Sequence, residues 1–224
     1  MKTFKVAIDG PSGAGKSTIA RAVSEKLGFI YIDTGAMYRS VGLFACQNGI
    51  DPKDEKNLEK ILSSIEIDIK HIDGAQHIFL CGEDVSGKIR TPEMSMAASD
   101  VSRHGCVREK LTAMQRQLAD TRDVVMDGRD IGTSVLPDAD VKIFLTASVN
   151  ARAERRFKEL LEKGENVSLC EVAADIEKRD YNDSHREISP LKCADDATVI
   201  DTTDLSLRQS IESVFKIITE RRNK

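Results

Sequence analysis

A chain of 224 residues with 40% hydrophobic and 31% charged side chains, five prolines and no low-complexity tract can bury one substantial core with a small extra lobe, which excludes a disordered protein. Apolar runs such as Val141-Lys-Ile-Phe-Leu-Thr-Ala147 fall far short of the roughly 20 residues that span a bilayer, and Met1-Lys-Thr-Phe-Lys5 lacks a signal peptide's apolar core, so a cytoplasmic protein without membrane contact is expected. A net charge of −4 argues against nucleic acid as the main partner, and five cysteines with no C-x-x-C pair argue for reduced, partly buried thiols rather than disulfides or a structural zinc.

Phe4-Lys-Val-Ala-Ile-Asp9 reads as a strand, and Gly10-Pro11-Ser12-Gly13-Ala14-Gly15-Lys16-Ser17-Thr18 follows it with the pattern G-x-x-x-x-G-K-[ST]. Glycines allow positive φ and let backbone N–H groups turn inward on phosphates, where the N-terminus of the next helix adds partial positive charge. Lys16 is placed to reach β and γ oxygens and Ser17 to set a hydroxyl on Mg²⁺, so a nucleoside triphosphate with its magnesium is the expected ligand. Ile19, Val23 and Leu27 recur at helical spacing, Gly28 stops that helix, and Phe29–Asp33 is a second strand. Together these form the βαβ unit of a parallel sheet with helices on both faces.

Helices are predicted from Thr34 to about Asn48 and from Lys53 to Ser64. From Ile65 to Cys81 the pattern alternates instead, with Ile65, Ile67 and Ile69 on one face, Asp73-Gly74 as a turn, then Ile78 and Leu80. This predicts a β-hairpin within an insert from Lys53 to about Arg90, a small lobe on the side of the acceptor. Thr91 is expected to cap a helix that starts at Pro92 and runs to Arg103, and another helix covers Val107 to Thr121. Val124–Asp127, Val141–Leu145 and Thr198–Asp201 are short apolar runs ending near polar or turn residues, as buried parallel strands do. Helices over Ser148 to Lys163, Ser168 to about Asn182 and Ser206 to Arg222 complete the chain.

Phosphoryl transfer needs positive charge over donor and acceptor phosphates, Mg²⁺, and exclusion of water. Arg39 lies one turn past Thr34-Gly35, where the C-terminal edge of the sheet opens onto a crevice. Asp127 stands at a strand end, the place of a carboxylate that partners Mg²⁺ beside Ser17. Arg152, Arg155 and Arg156 share one helix, which in isolation reads as a solvated face. Arg179, Asp183 and Arg186 are spaced by four and three, which keeps them near one face while the helix persists. A GTP-dependent switch needs Asn-Lys-x-Asp, which is absent, and an ATP-driven motor usually places Glu after the strand-end Asp, where Gly128 stands.

At Asp33-Thr-Gly-Ala-Met-Tyr-Arg39, Gly82-Glu-Asp-Val-Ser-Gly-Lys-Ile-Arg-Thr91 and Asp127-Gly-Arg-Asp-Ile-Gly-Thr133 the chain resembles the bacterial cytidylate (CMP) kinases, and the likeness runs from the phosphate loop to the last helix. The resemblance implies an α/β fold with a five-stranded parallel sheet. It divides the chain into a core of residues 1–37, 96–148 and 187–224, a β-containing monophosphate-binding insert at 38–95 and a short helical lid at 149–186. It also implies a monomer that transfers the γ-phosphoryl group of ATP to CMP or dCMP. By motif, Arg39, Arg129 and Arg186 would hold the acceptor phosphate, with Thr34 and Tyr38 among the substrate-binding residues. Arg179 and Asp183 would face the ribose, and Ser99, Arg108 and Asp130 would read the base. Arg155 and Arg156 resemble the lid arginines that swing over the transferring phosphoryl group and the ATP. Cytosine presents an N4 donor beside N3 and O2 acceptors, which a carboxylate, an arginine and a hydroxyl complement. Uracil reverses two of those positions, and the nearest rival is a phosphate-loop kinase for UMP, dTMP or shikimate.

Overall fold

Val6, Ala7 and Ile8 have no solvent exposure because their strand lies at the centre of a sheet. The computed structural model describes residues 3–72, 75–162 and 164–223. It divides into two compact units, the first made of the chain up to Tyr31 with the chain from Thr121 onward, the second of Ile32–Asp120.

The sheet has five strands: β1 (Lys5–Asp9), β2 (Ile30–Asp33), β6 (Val124–Gly128), β7 (Val141–Thr146) and β8 (Thr198–Asp201), in the order β2-β6-β1-β7-β8. β1 pairs parallel with β6, from Lys5 opposite Val124 to Asp9 opposite Gly128, and parallel with β7, which pairs parallel with β8. Strands covered on both faces read as unbroken apolar runs, as Val124, Val125 and Met126 do. The helices α1 (Lys16–Leu27) and α8 (Leu207–Arg222) bring Ile19, Val23, Val214 and Ile218 into one cluster with Val6, Ile8, Val125 and Ile143. Ser206 and Gln209 close the start of α8 with a reciprocal capping box. Two further helices, α6 (Val149–Glu162) and α7 (Leu169–His185), pack on each other through Ala153, Leu160, Val172 and Ile176. α7 runs three residues beyond its expected end at Asn182, and no apolar residue of its buried set follows Ile176 to mark those turns. Lys163, the expected end of α6, lies outside the described residues.

In the second unit α2 (Thr34–Gln47) and α3 (Glu55–Leu62) precede a three-stranded antiparallel sheet of β3 (Ile67–Ile72), β4 (Ala75–Leu80) and β5 (Glu83–Asp84). The alternation of the sequence is the pairing of β3 with β4, Ile67 opposite Leu80 and Ile69 opposite Ile78, with Ile65, Ile67, Ile78 and Leu80 buried. The Asp73-Gly74 turn lies outside the described residues. β5 was not expected, because both of its residues are charged and exposed. A 3-10 turn at Lys88–Arg90 leads to α4 (Pro92–Val101) and α5 (Gly105–Thr121), and the Thr91 hydroxyl accepts from the Met94 N–H at 3.1 Å with Pro92 in the first turn. Cys46, Cys81 and Cys170 are exposed rather than partly buried.

α2 and α4 approach closely at Gly42, where a Cβ would lie 2.8 Å from the Cβ of Ala97. Gly42→Val is therefore expected to destabilise the protein by about 1–3 kcal/mol through overpacking. Gly87→Ala, where an added Cβ meets nothing within 4 Å, should stay within about 0.5 kcal/mol of the parent. Urea denaturation of both variants checks the contrast, and equal midpoints would remove the packing argument.

Candidate active site

The loop between β1 and α1 owes its path to glycine. Gly10, Gly13 and Gly15 have φ of 146°, 76° and 85°, and a Cβ on Gly10 would lie 2.0 Å from the carbonyl oxygen of Leu145 on β7. Lys16 in the first turn of α1 bends back over this loop, and its buried ammonium donates to the Pro11 carbonyl at 2.6 Å. Burial pushes that ammonium down to about 7, and Arg129 acts in the same direction against Asp127, Asp183 and Asp9. A buried cation at a helix N-terminus, beside a loop whose glycines hold positive φ, is an arrangement that favours a polyphosphate.

The Ser17 hydroxyl donates to Asp127 Oδ2 at 2.9 Å, and the Tyr31 hydroxyl donates to Oδ1 of the same carboxylate at 2.8 Å. A hydroxyl and a carboxylate side by side are hard oxygen donors of the kind Mg²⁺ takes, so these residues fit that ion. Among the described residues no three His, Cys, Asp or Glu side chains cluster as a metal cage. Mg²⁺ at phosphate sites draws on one or two carboxylates with phosphate oxygens and water, so the pair suffices.

The tip of the loop is gripped from α6 and α7. Arg152 Nη1 donates to the Ser12 carbonyl at 3.0 Å and to Asp180 at 2.6 Å, its Nε donates to the Ala147 carbonyl, and Arg179 Nη1 donates to the Ser12 hydroxyl at 3.0 Å. Arg152 is therefore buried, and the solvated face expected of its helix does not extend to it. Arg155 donates instead to the hydroxyl and carbonyl of Thr202, and Arg156 to Glu159 one turn along the helix.

Arginines and carboxylates alternate in the rest of the first unit. Arg129 Nε donates to Asp183 Oδ2 at 2.7 Å, and Arg186 donates through Nη2 to Asp130 Oδ1 at 3.0 Å and through Nε to the Ser189 carbonyl. Burial pushes the Asp183 carboxyl up, but Arg129, Arg179 and Arg186 outweigh it and hold the group below the usual carboxylate range. Burial likewise pulls Arg129 down, while Asp183, Asp127 and Asp180 more than restore it. Arg129, Asp130, Arg179, Asp183 and Arg186 thus stand in one charged network. Asp9 was missed. Its buried carboxylate accepts from the N–H groups of Ile131 at 2.8 Å and Gly132 at 2.7 Å, and burial pushes it up to about 6 against those two donors. The available signal was an acidic residue directly after the buried apolar run Val6-Ala7-Ile8.

In the second unit, Asp33 caps α2 by accepting from the Ala36 N–H at 2.8 Å and pairs with Arg39 Nη2 at 3.0 Å. Its burial raises the carboxyl, yet Arg39, the Ala36 N–H and Arg90 together hold it below the usual range. Thr34 is buried at the start of the same helix. Arg108, buried on α5, stacks its guanidinium 5.9 Å from the centroid of the Tyr38 ring and donates to the Ser102 carbonyl, while the Ser102 hydroxyl donates to the carbonyl of buried Ser99. Tyr38 and Arg108 are therefore neighbours across the second unit, and Ser102 links the Arg108 guanidinium to the Ser99 carbonyl.

The profile of the cytidylate kinase family matches residues 6–220. The chain is 54% identical over 217 residues to a cytidylate kinase from Caldicellulosiruptor bescii, covering 97% of this chain and 96% of that one. It is 47% identical over 218 residues to a cytidylate kinase from Bacillus cereus, with 97% of each covered. The solved structure of a shikimate kinase from Bacteroides thetaiotaomicron superposes with a TM-score of 0.51 at 13% identity over 99% of both chains, a likeness of fold alone.

Proposed function

The chain belongs to the cytidylate kinase family, whose members transfer a phosphoryl group from ATP to CMP, and we propose that its two sets of side chains divide this reaction between donor and acceptor. The loop from Gly10 to Thr18 takes the phosphates of ATP, with Lys16 neutralising the β and γ oxygens. Ser17 and Asp127 would hold Mg²⁺, which supplies charge neutralisation across the phosphates when bound. Arg39, Arg129 and Arg186 act on the acceptor phosphate, Arg179 and Asp183 on the ribose, and Ser99, Arg108 and Asp130 on the base, with Thr34 and Tyr38 as further substrate contacts. Arg155 and Arg156 exchange their present partners for the transferring group and the ATP when residues 149–186 act as a lid. An acceptor phosphate is anionic at neutral pH, so no strong general base is required, and positioning with charge neutralisation supplies the rate. dCMP serves beside CMP, and the protein works as a cytoplasmic monomer in pyrimidine nucleotide metabolism, with residues 38–95 as the monophosphate-binding insert. No helix among the described residues is long and apolar enough to cross a membrane.

The observation that supports this reading most is the buried Asp130 carboxylate, ionically paired to Arg186 and next in sequence to Arg129. A carboxylate accepts from the cytosine N4 amino group, and at that position uracil presents the O4 acceptor instead. Asp130→Asn is therefore expected to lower the preference for CMP over UMP, read as the ratio of kcat/KM values, by about tenfold to a hundredfold. An unchanged ratio in a folded variant would remove Asp130 from base recognition.

A further inference from the structure

A carboxylate that ends a buried strand has few ways to be satisfied, and Asp9 spends both oxygens on one short stretch of backbone. Oδ1 accepts from the Ile131 N–H and Oδ2 from the Gly132 N–H, at 2.8 and 2.7 Å, while Asp9 is 5% exposed. Its backbone also stands opposite Gly128 in the register of β1 with β6. One residue of β1 thus fixes the neighbouring loop at two points, and the residues between those points are Arg129 and Asp130. Asp130 has φ −143° and ψ 29°, and a π-helical turn, Ile131–Val135, begins immediately after it. Such turns are short departures from regular helix that need outside support, often beside functional sites.

We propose that Asp9 is a positioning residue for the acceptor: its carboxylate holds the N–H groups of Ile131 and Gly132 so that Arg129 and Asp130 stand where phosphate and base are met. This rests on the reading that Arg129 and Asp130 contact CMP. Asp9 also precedes Gly10, the first residue of the phosphate loop, so a role on the ATP side is the competing assignment, and it predicts a different outcome.

Asp9→Asn preserves size and one acceptor oxygen but turns an amino group on one of the two N–H donors. In the full-length enzyme the KM for CMP is expected to rise about tenfold while the KM for ATP stays within about twofold. The amide protons of Ile131 and Gly132 should exchange at least about tenfold faster, with Val6 and Val125 of the paired strands still protected. Asp9→Ala, which retains no acceptor, should enlarge both effects. Equal rises in the two KM values would assign Asp9 to the phosphate loop or to the fold at large, and unchanged values would leave it without a positioning role. Failure of the isosteric Asp9→Asn to fold also overturns the proposal, because a positioning residue leaves the core intact. If Asp130→Asn leaves the CMP preference unchanged, the base assignment falls on its own, while amide exchange in Asp9→Asn still decides whether the carboxylate holds the loop.

Discussion

Lys16→Met is expected to lower kcat/KM by about a thousandfold or more, the scale of losing a preorganised cation from a phosphoryl-transfer site. The side chain is buried, its ammonium donates to the Pro11 carbonyl of its own loop, and burial has already brought that ammonium down to about 7. Such a group is poised for phosphate oxygens, which favour the charged form and raise its pKa in the complex. The sign follows directly. A group whose pKa rises on binding takes up protons above its free value, so ATP affinity falls as the pH climbs past about 7. Calorimetry in buffers of different ionisation heat at pH 8 should show proton uptake with ATP in the parent and its reduction in Lys16→Met. Methionine fits the space of the aliphatic stem, so thermal unfolding should show a folded protein. Uptake that is identical in both proteins would exclude Lys16 as the titrating group.

Arg186→Met is expected to cut kcat by about a hundredfold to a thousandfold with the fold preserved. Arg186 follows the last residue of α7, and its guanidinium donates to Asp130 and to the Ser189 carbonyl. On the proposed assignment the substitution removes charge from the acceptor phosphate, and it also leaves Asp130 without this guanidinium. Loss of turnover and a weakened preference for CMP over UMP should therefore appear together. Arg186→Lys retains the charge but not the planar fork, and should recover part of the turnover and little of the preference. Single-turnover rates with both acceptors separate the two effects, and near-normal turnover in a folded Arg186→Met would take Arg186 out of the site.

The parts of this site that a reader of the sequence can find are those written locally. The phosphate loop is nine consecutive residues with a fixed pattern, and its strand holds the unbroken apolar run Val6-Ala7-Ile8 because β1 is covered on both faces. The hairpin of β3 and β4 announces itself by alternation, since one of its faces is buried and the other is not. The Tyr31 hydroxyl on Asp127, Arg152 on the Ser12 carbonyl and Asp9 on the Ile131 N–H are different in kind. Their partners lie 96, 140 and 122 residues apart in sequence, and no period or short motif links positions so distant. Arg152 shows the limit well: beside Arg155 and Arg156 its residue type points to solvent, and only the fold places it against the loop. The short strand β5 escaped for the opposite reason, being two exposed charged residues whose strand character comes entirely from pairing with β4.

The strand order β2-β6-β1-β7-β8 also sets a timetable for synthesis. Both hydrogen-bonded neighbours of β1 are made after the whole of Ile32–Asp120 has been synthesised, whereas that second unit is one uninterrupted segment with its own buried residues. The second unit can close while it is being made, but Val6, Ala7 and Ile8 wait for Val124 and Val141 before they are covered. The strand that introduces the phosphate loop thus emerges ahead of the whole second unit yet is covered only after it, and through that interval its apolar edges are open to wrong pairings.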